Sequence, residues 1–258
     1  MLQTNPSTKL LAERLISARR SQKLVDATDC IPLAAADAYA VQAIVADALG
    51  PVGAFKTSRK PGSEQTLAPI FAADIGWGSG MFSALPGDVL AVELELGFRL
   101  MADPPALGDP DFVERLRSIL EPVAALEIVG SRISGITAQD ALAKLADNQN
   151  GAGLVVAEAL PAGTARDSAA ENDNAGSSLR AHLRVGDDVV LDGPAIVPGG
   201  DGFTTVCEMA RRLGSHCGGL RKGQVVITGS LHPMVPVLSG TEIYGRLDGF
   251  GEVRALIS

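Results

Sequence analysis

The chain has 258 residues, of which 46% are hydrophobic and 20% charged, with a formal net charge of -8. That length and apolar content fit a globular protein of one large or two modest domains and exclude a disordered chain. Lys and Arg are scattered rather than gathered into a stripe, which, with the negative balance, excludes nucleic acid as a partner.

No apolar run reaches the roughly 20 residues needed to span a bilayer, and the start MLQTNPSTKLLAERL has no basic flank followed by an apolar secretory core. The expectation is a cytoplasmic, unexported protein with no membrane partner. Cys30, Cys207 and Cys217 are odd in number and form no C-x-x-C pair, so reduced thiols are expected.

The first 50 residues read as helical. Leu10, Leu11, Leu15 and Ile16 form an apolar stripe behind Ser7 and Thr8, both good capping residues. A second, alanine-rich helix, LAAADAYAVQAIVADAL, stops at Gly50-Pro51. From about residue 85 the texture changes to short β-like runs separated by Gly, Pro and Asp, among them DVLAVELELGFRL, VAALEIVGSRI, GAGLVVAEAL, SLRAHLRV, QVVITGS, TEIYGRL and EVRALI. Helices interrupt them at DPDFVERLRSIL, opened by Asp-Pro, at TAQDALAKLADN, opened by a Thr-x-x-Asp cap, and at FTTVCEMARRLG, closed by Gly214. The polar segment AGTARDSAAENDNAGSS is expected to be an exposed loop. Together these elements predict an α+β chain: a small, mainly helical N-terminal domain over 1–80 and a β-rich, barrel-like or sandwich domain over 81–258.

Within VELELGF, strand alternation puts Glu93 and Glu95 on one face and Val92, Leu94 and Leu96 on the other. Side-by-side carboxylates are compatible with a solvated face, a general acid/base pair or a hard cation that cancels their repulsion. Glu127 adds a third acid inside the apolar run VAALEIV, where an unpaired carboxylate costs several kcal/mol unless paired, protonated or metal-bound. Two acids from one strand and a third from another could supply three oxygen ligands to an octahedral divalent cation.

The ordered set VELELGF, PVAALEIVGSRI, LADN, ITGSLHPMVPV and GRLDGFGEV, with DAYAVQ near the start, resembles the 2-keto-4-pentenoate hydratase / 4-oxalocrotonate decarboxylase family of the fumarylacetoacetate hydrolase superfamily. The resemblance runs from residue 37 to the C terminus and implies a fumarylacetoacetate hydrolase-type β-rich domain. It also implies a Mg²⁺ or Mn²⁺ site on Glu93, Glu95 and Glu127, a catalytic lysine matched by Lys56 in GAFKTSRK and a catalytic acid matched by Asp74 in IFAADIG. The chain departs from the pattern in two places. Asn150 stands where a small hydroxyl residue is expected after ADN, and Arg59 and Lys60 add cations after the lysine.

The activity implied is a metal-dependent hydro-lyase that adds water to a 2-hydroxy-2,4-dienoate to give a 4-hydroxy-2-oxo acid. The alternatives are decarboxylation of a 4-oxalocrotonate-like 2-oxo diacid, C–C hydrolysis of an acylpyruvate and a non-catalytic partner subunit. The partner is a small 2-oxo acid, and a homo-oligomer is expected. Hydrolytic relatives generally use a His-Glu pair, and the first histidine here is His182, which disfavours hydrolysis.

Asn150, Thr228, Ser230 and His232 are the candidate substrate-binding residues. Thr228 and Ser230 could donate to a substrate carboxylate or simply shape a tight turn. His182 and His216 read as surface residues, and Trp77 as either a pocket roof or a loop anchor. The absence of a G-x-S-x-G elbow, a phosphate-binding loop and a dinucleotide fingerprint in its strand-helix context excludes serine hydrolase, kinase and dehydrogenase readings.

Overall fold

The computed structural model describes residues 5–58, 62, 64–135, 139–159 and 179–258. The expected loop AGTARDSAAENDNAGSS, Thr137, and the cations Arg59 and Lys60 lie outside the described residues.

Helix α1, Pro6–Ser21, begins two residues earlier than a cap at Ser7 would place it, because Asn5 is the cap: its side chain accepts from the Ser7 N–H at 3.1 Å, and Pro6 occupies the first turn. It buries Thr8, Leu11, Ala12, Leu15 and Ala18, one face at helical spacing. Helix α2, Ala35–Leu49, buries Ala38, Val41, Gln42, Val45 and Ala46 and ends at Gly50, whose φ of +111° a side chain would strain. Gln42 is fully buried on that face, and its Nε2 donates to the carbonyls of Leu67 at 3.2 Å and Leu145 at 2.6 Å. The helical layer is thereby tied to the chain beneath it.

The first two helices end by Leu49, and from Val52 to Phe82 the described residues are mostly strand, with one 3-10 turn at Ala72–Asp74. Residues 52–82 contribute β1 (Val52–Ser58), β2 (Thr66–Phe71), β3 (Ile75–Trp77) and β4 (Ser79–Phe82) to two sheets, in which β1 and β4 pair with strands from the far end of the chain, β3 with a strand at 151–156 and β2 with β1. Pro69 inside β2 hides that strand from a sequence reading; it is tolerated because β2 is an edge strand and a missing N–H there breaks no ladder.

The remaining elements are β5 (Ala91–Leu100), α3 (Phe112–Ile119), β6 (Leu120–Val129), α4 (Ala141–Ala146), β7 (Gly151–Val156), β8 (Leu179–Val185), β9 (Asp188–Ala195), α5 (Gly202–Leu213), β10 (Val225–Ser230), β11 (Val235–Pro236), β12 (Glu242–Leu247) and β13 (Gly251–Ile257). Two of the helix caps differ from the expected ones. Asp109 accepts from the Asp111 N–H and α3 starts only at Phe112, while α4 is capped by Asp140, which accepts from the Leu142 and Ala143 N–H groups, rather than opened at Thr137.

One curled sheet runs β2-β1-β10-β5-β6-β7-β3, with β11 also paired to β5; a second, five-stranded sheet runs β4-β13-β12-β8-β9. The α+β, β-rich architecture expected from the sequence is the one found. β5 and β6 pair antiparallel over ten positions, and this register fixes which residues share a face. Val92, Leu94, Leu96, Phe98, Leu126 and Ile128 point to one side and join Leu183, Leu247 and Val253 of the second sheet in the main core. On the other side Ala54, Val123, Ala125, Leu154, Val156, Val225 and Ile227 form a smaller cluster inside the curl. Glu93, Glu95 and Glu127 belong by parity to this inner face.

Among the described residues no helix is long and apolar enough to cross a membrane.

Candidate metal centre

Glu93 on β5 stands directly opposite Glu127 on β6, and Glu95 lies two residues along on the same face. Glu127 is fully buried, Glu95 is 3% exposed and Glu93 is half-buried. One carboxylate oxygen from each falls within 4.8 Å of the other two. Because the strands on either side are apolar on both faces, the chain gives these acids a dry floor rather than bulk water.

Two groups partly offset the repulsion. Lys56, on β1, is brought in by the parallel pairing of β1 with β10, and its ammonium forms an ion pair with Glu127 Oε1 while also donating to the Gln149 carbonyl at 3.2 Å. The Gly229 N–H donates to Glu95 Oε2 at 2.6 Å. Burial pushes the Glu95 carboxyl well above the ordinary carboxylate range, and the charges of Glu127 and Glu93 push it further, against Lys56 and the Gly229 N–H.

The donor set fits a hard divalent cation. Three carboxylates against one ammonium leave two negative charges. Glu127 Oε2 is buried with no hydrogen-bond partner among the described residues. A buried carboxylate oxygen without a donor is costly, and an oxygen-seeking ion such as Mg²⁺ or Mn²⁺ is the group that satisfies it.

The triad opens into a cavity of about 470 Å³, also lined by Lys56, Gln149, Ser230, His232 and Met234. Ser230 Oγ donates to the His232 carbonyl at 2.5 Å, and His232 Nδ1 sits 2.7 Å from the Pro233 carbonyl. Both residues from the ITGSLHP stretch are therefore at the site, in a turn that fixes them.

The structure does not bring the other sequence candidates to this cavity. Thr228 is fully buried on the opposite side of β10, where its hydroxyl donates to the Leu96 carbonyl at 2.9 Å. Alternation decides this, since Val225 and Ile227 take the inner face and Thr228 the outer one. Asp74 pairs with Arg19 at 3.0 Å and lines a separate cavity of about 460 Å³ that also contains Asp88 and Arg132. Asn150 does not line the metal cavity; its carbonyl accepts from the Gly130 N–H at 2.8 Å. Its neighbour Gln149, which the sequence did not single out, lines the cavity instead.

The segment carrying Gln149 is held under strain. Asn148, Gln149 and Asn150 all have left-handed backbones, with φ of 51°, 51° and 59°. Such a conformation costs of order 1–3 kcal/mol for a residue like glutamine and persists only where surrounding bonds enforce it. Arg132 enforces it from both ends. Its main-chain N–H and Nε donate to the Asp147 carboxylate at 2.8 and 2.7 Å, Nη2 donates to the Asp147 carbonyl at 2.7 Å, and Nη1 to the Gly151 carbonyl at 2.9 Å.

The histidines divide as follows. His182 is partly exposed beside Asp192, at 3.4 Å. His216, expected at the surface, is instead packed edge-on against Tyr39 and bonded to Gln42 Oε1 at 3.1 Å, because the turn after α5 folds back onto α2; burial lowers its pKa. Trp77 is 47% exposed with the Arg99 guanidinium over its ring at 4.7 Å.

No family model matches the sequence. Solved structures do match. A 4-oxalocrotonate decarboxylase from Pseudomonas putida G7, complexed with magnesium and adipate, superposes with a TM-score of 0.76 at 18% identity, covering 97% of each chain. A fumarylpyruvate hydrolase from Pseudomonas aeruginosa, in complex with Mn²⁺ and pyruvate, gives 0.54 at 14% identity over 79% of this chain and 88% of that one. A 2-hydroxyhepta-2,4-diene-1,7-dioate isomerase from Mycobacterium marinum gives 0.52 at 13% identity over 80% and 75%. The chain thus has the fold of the fumarylacetoacetate hydrolase superfamily, as the sequence resemblance implied.

Proposed function

We propose that the protein is a divalent-metal-dependent lyase of 2-oxo acids, with Glu93, Glu95 and Glu127 as ligands for Mg²⁺ or Mn²⁺. The observation that carries this reading is the convergence of the three glutamates with Lys56 at the floor of one cavity. Magnesium in the decarboxylase and manganese in the hydrolase of the same fold support the choice of ion.

When bound, the ion supplies Lewis acidity toward the 1-carboxylate and 2-oxygen of a 2-oxo acid. Lys56 serves as proton carrier: its ammonium is held against Glu127 and the Gln149 carbonyl, within reach of the charge that develops on the substrate. Ser230 and His232 line the same cavity, Ser230 paired across the ladder with Glu95, and shape the space the substrate occupies. The apolar residues behind the triad keep water from competing for the developing charge. Asp74, paired with Arg19 in the other cavity, takes no part in this reading.

Two reactions share this chemistry. In decarboxylation of a 4-oxalocrotonate-like diacid, the bond to the departing carboxylate breaks, its electron pair passes through the conjugated chain to the 2-oxygen, and CO₂ leaves. The match over 97% of both chains to a decarboxylase favours it. In hydration, carbon protonation of a 2-hydroxy-2,4-dienoate is followed by addition of water at the distal carbon. Lys56 is the sole cationic side chain among the described lining residues, which favours a substrate with one carboxylate.

Incubating the protein and Mg²⁺ separately with 4-oxalocrotonate and 2-hydroxypenta-2,4-dienoate, with products followed by NMR, separates the two. Loss of CO₂ from the first supports decarboxylation, and a 4-hydroxy-2-oxo acid from the second supports hydration. Failure to convert either contradicts the proposal. A homo-oligomer, implied by the sequence resemblance, belongs to the same proposal. Light scattering at a monomer mass would remove that part.

A further inference from the structure

We propose that Gln149 is a substrate-binding residue of this site, its side-chain Nε2 donating a hydrogen bond to the carboxylate end of the bound 2-oxo acid. The inference rests on the lyase reading above and adds a recognition element that the acidic triad does not provide.

The donors around the cavity are almost all committed. The Gly229 N–H is taken by Glu95, the Ser230 hydroxyl by the His232 carbonyl and the Thr57 hydroxyl by the Thr66 carbonyl. The ring of His232 has Nδ1 against the Pro233 carbonyl, and Lys56 has two of its acceptors in Glu127 and Gln149. Gln149 Nε2 differs: it is buried, it belongs to a residue that lines the cavity, and it has no partner among the described residues. A buried amide nitrogen with two N–H groups and no acceptor destabilises the protein that carries it. The neighbouring Asn148 amide is also buried and unpartnered, but Asn148 does not line the cavity.

The backbone adds a second, independent sign. Gln149 has a left-handed φ of 51°, and the Arg132–Asp147–Gly151 clamp holds it there. Strain and an unsatisfied donor on one residue at a cavity wall are local rules broken together, the pattern expected where a site is prepared for a ligand rather than for stability. The position is also apt. The Gln149 carbonyl touches Lys56, which touches Glu127, so the residue stands at the ligand-bearing end of the cavity, where the carboxylate of a 2-oxo acid would lie.

The test compares the parent with Gln149→Leu and Gln149→Asn by calorimetry, titrating first Mg²⁺ and then pyruvate into the Mg²⁺-loaded protein, with melting temperatures of the metal-free forms alongside. The expected result for Gln149→Leu is an unchanged Mg²⁺ affinity, pyruvate binding weakened by about tenfold or more, as for loss of a hydrogen bond to a charged acceptor, and a melting temperature equal to or above the parent's. Gln149→Asn keeps the amide but withdraws it, and should fall between. Equal pyruvate affinity in parent and Gln149→Leu would overturn the role of Gln149 while leaving the lyase reading intact. A lowered melting temperature with unchanged pyruvate binding in both variants would mark the amide as structural and overturn the role. If the Mg²⁺-loaded parent binds no pyruvate, the 2-oxo acid reading itself fails, and the Gln149 assignment with it.

Discussion

Glu93 and Glu127 face each other directly across the β5–β6 ladder, a like-charged cross-strand pair on the inner face of a curled sheet, Glu127 fully buried and Glu93 half-buried. Like charges in that arrangement oppose folding by roughly 0.2–1 kcal/mol even at exposed sites. Glu93→Gln should therefore raise the melting temperature of the metal-free protein, by about 2–4 °C if the gain approaches 1 kcal/mol. Saturating Mg²⁺ should reverse the order, the parent becoming the more stable. Calorimetric melts with and without metal check both halves.

The pH dependence has a definite sign. The folded Glu95 carboxyl titrates well above its unfolded value because of burial, then Glu127 and Glu93. A raised carboxyl destabilises the folded state progressively as pH climbs from the unfolded value, about 4.3, through the folded one, and fully above it. A bound cation displaces that proton and removes the effect. The rise in melting temperature caused by saturating Mg²⁺ should thus be larger at pH 8 than at pH 5.5, and equal rises at the two values would contradict the assignment.

Lys56 acts on the same charges from the other side. Lys56→Met leaves Glu127 buried without its cation, and breaking a buried pair in this way costs about 3–5 kcal/mol. The metal-free variant should melt well below the parent, Mg²⁺ should restore a larger share of stability than it gives the parent, and turnover should remain at least about a hundredfold down, as expected for loss of a positioned proton carrier. Parental turnover would remove Lys56 from the mechanism.

The clamp on the strained segment gives an independent expectation. Arg132→Met removes the three side-chain hydrogen bonds that hold Asp147 and Gly151 and leaves the buried Asp147 carboxylate without its cation, with only the main-chain N–H of residue 132 still donating to it. Stability should fall by about 3–5 kcal/mol, and hydrogen exchange should increase at residues 147–151 more than in β5 or β6. Uniform exchange across the sheet would mean that the clamp does not act locally.

Much of this site is legible in the sequence because it depends on local alternation. E-x-E in a strand must place Glu93 and Glu95 on one face, and an acid inside VAALEIV must be paired, protonated or ligated. Elements set by distant pairing are not legible in this way. β1 finds its partner about 170 residues on, with Ala54 against Val225, and its run VGAFKTS gives no strong period on its own. β10 is buried on both faces, so its continuous apolar run VVIT does not reveal that Thr228 faces away from the glutamates. Asp74 matched a family pattern by position, yet its partner, Arg19, comes from a helix that no spacing argument links to it. Gln149 carried no signal beyond two flanking asparagines, residues that tolerate a left-handed backbone.

The proposed chemistry requires the three glutamates to hold a divalent cation, and calorimetric titration of Mg²⁺ at pH 8 into the parent, Glu93→Gln and Glu127→Gln tests this most directly. One site per chain is expected in the parent, with affinity lost or reduced by at least about a hundredfold in each variant, since each loses a charged ligand. Unchanged Mg²⁺ affinity in both variants would contradict the ligand set and the lyase chemistry built on it.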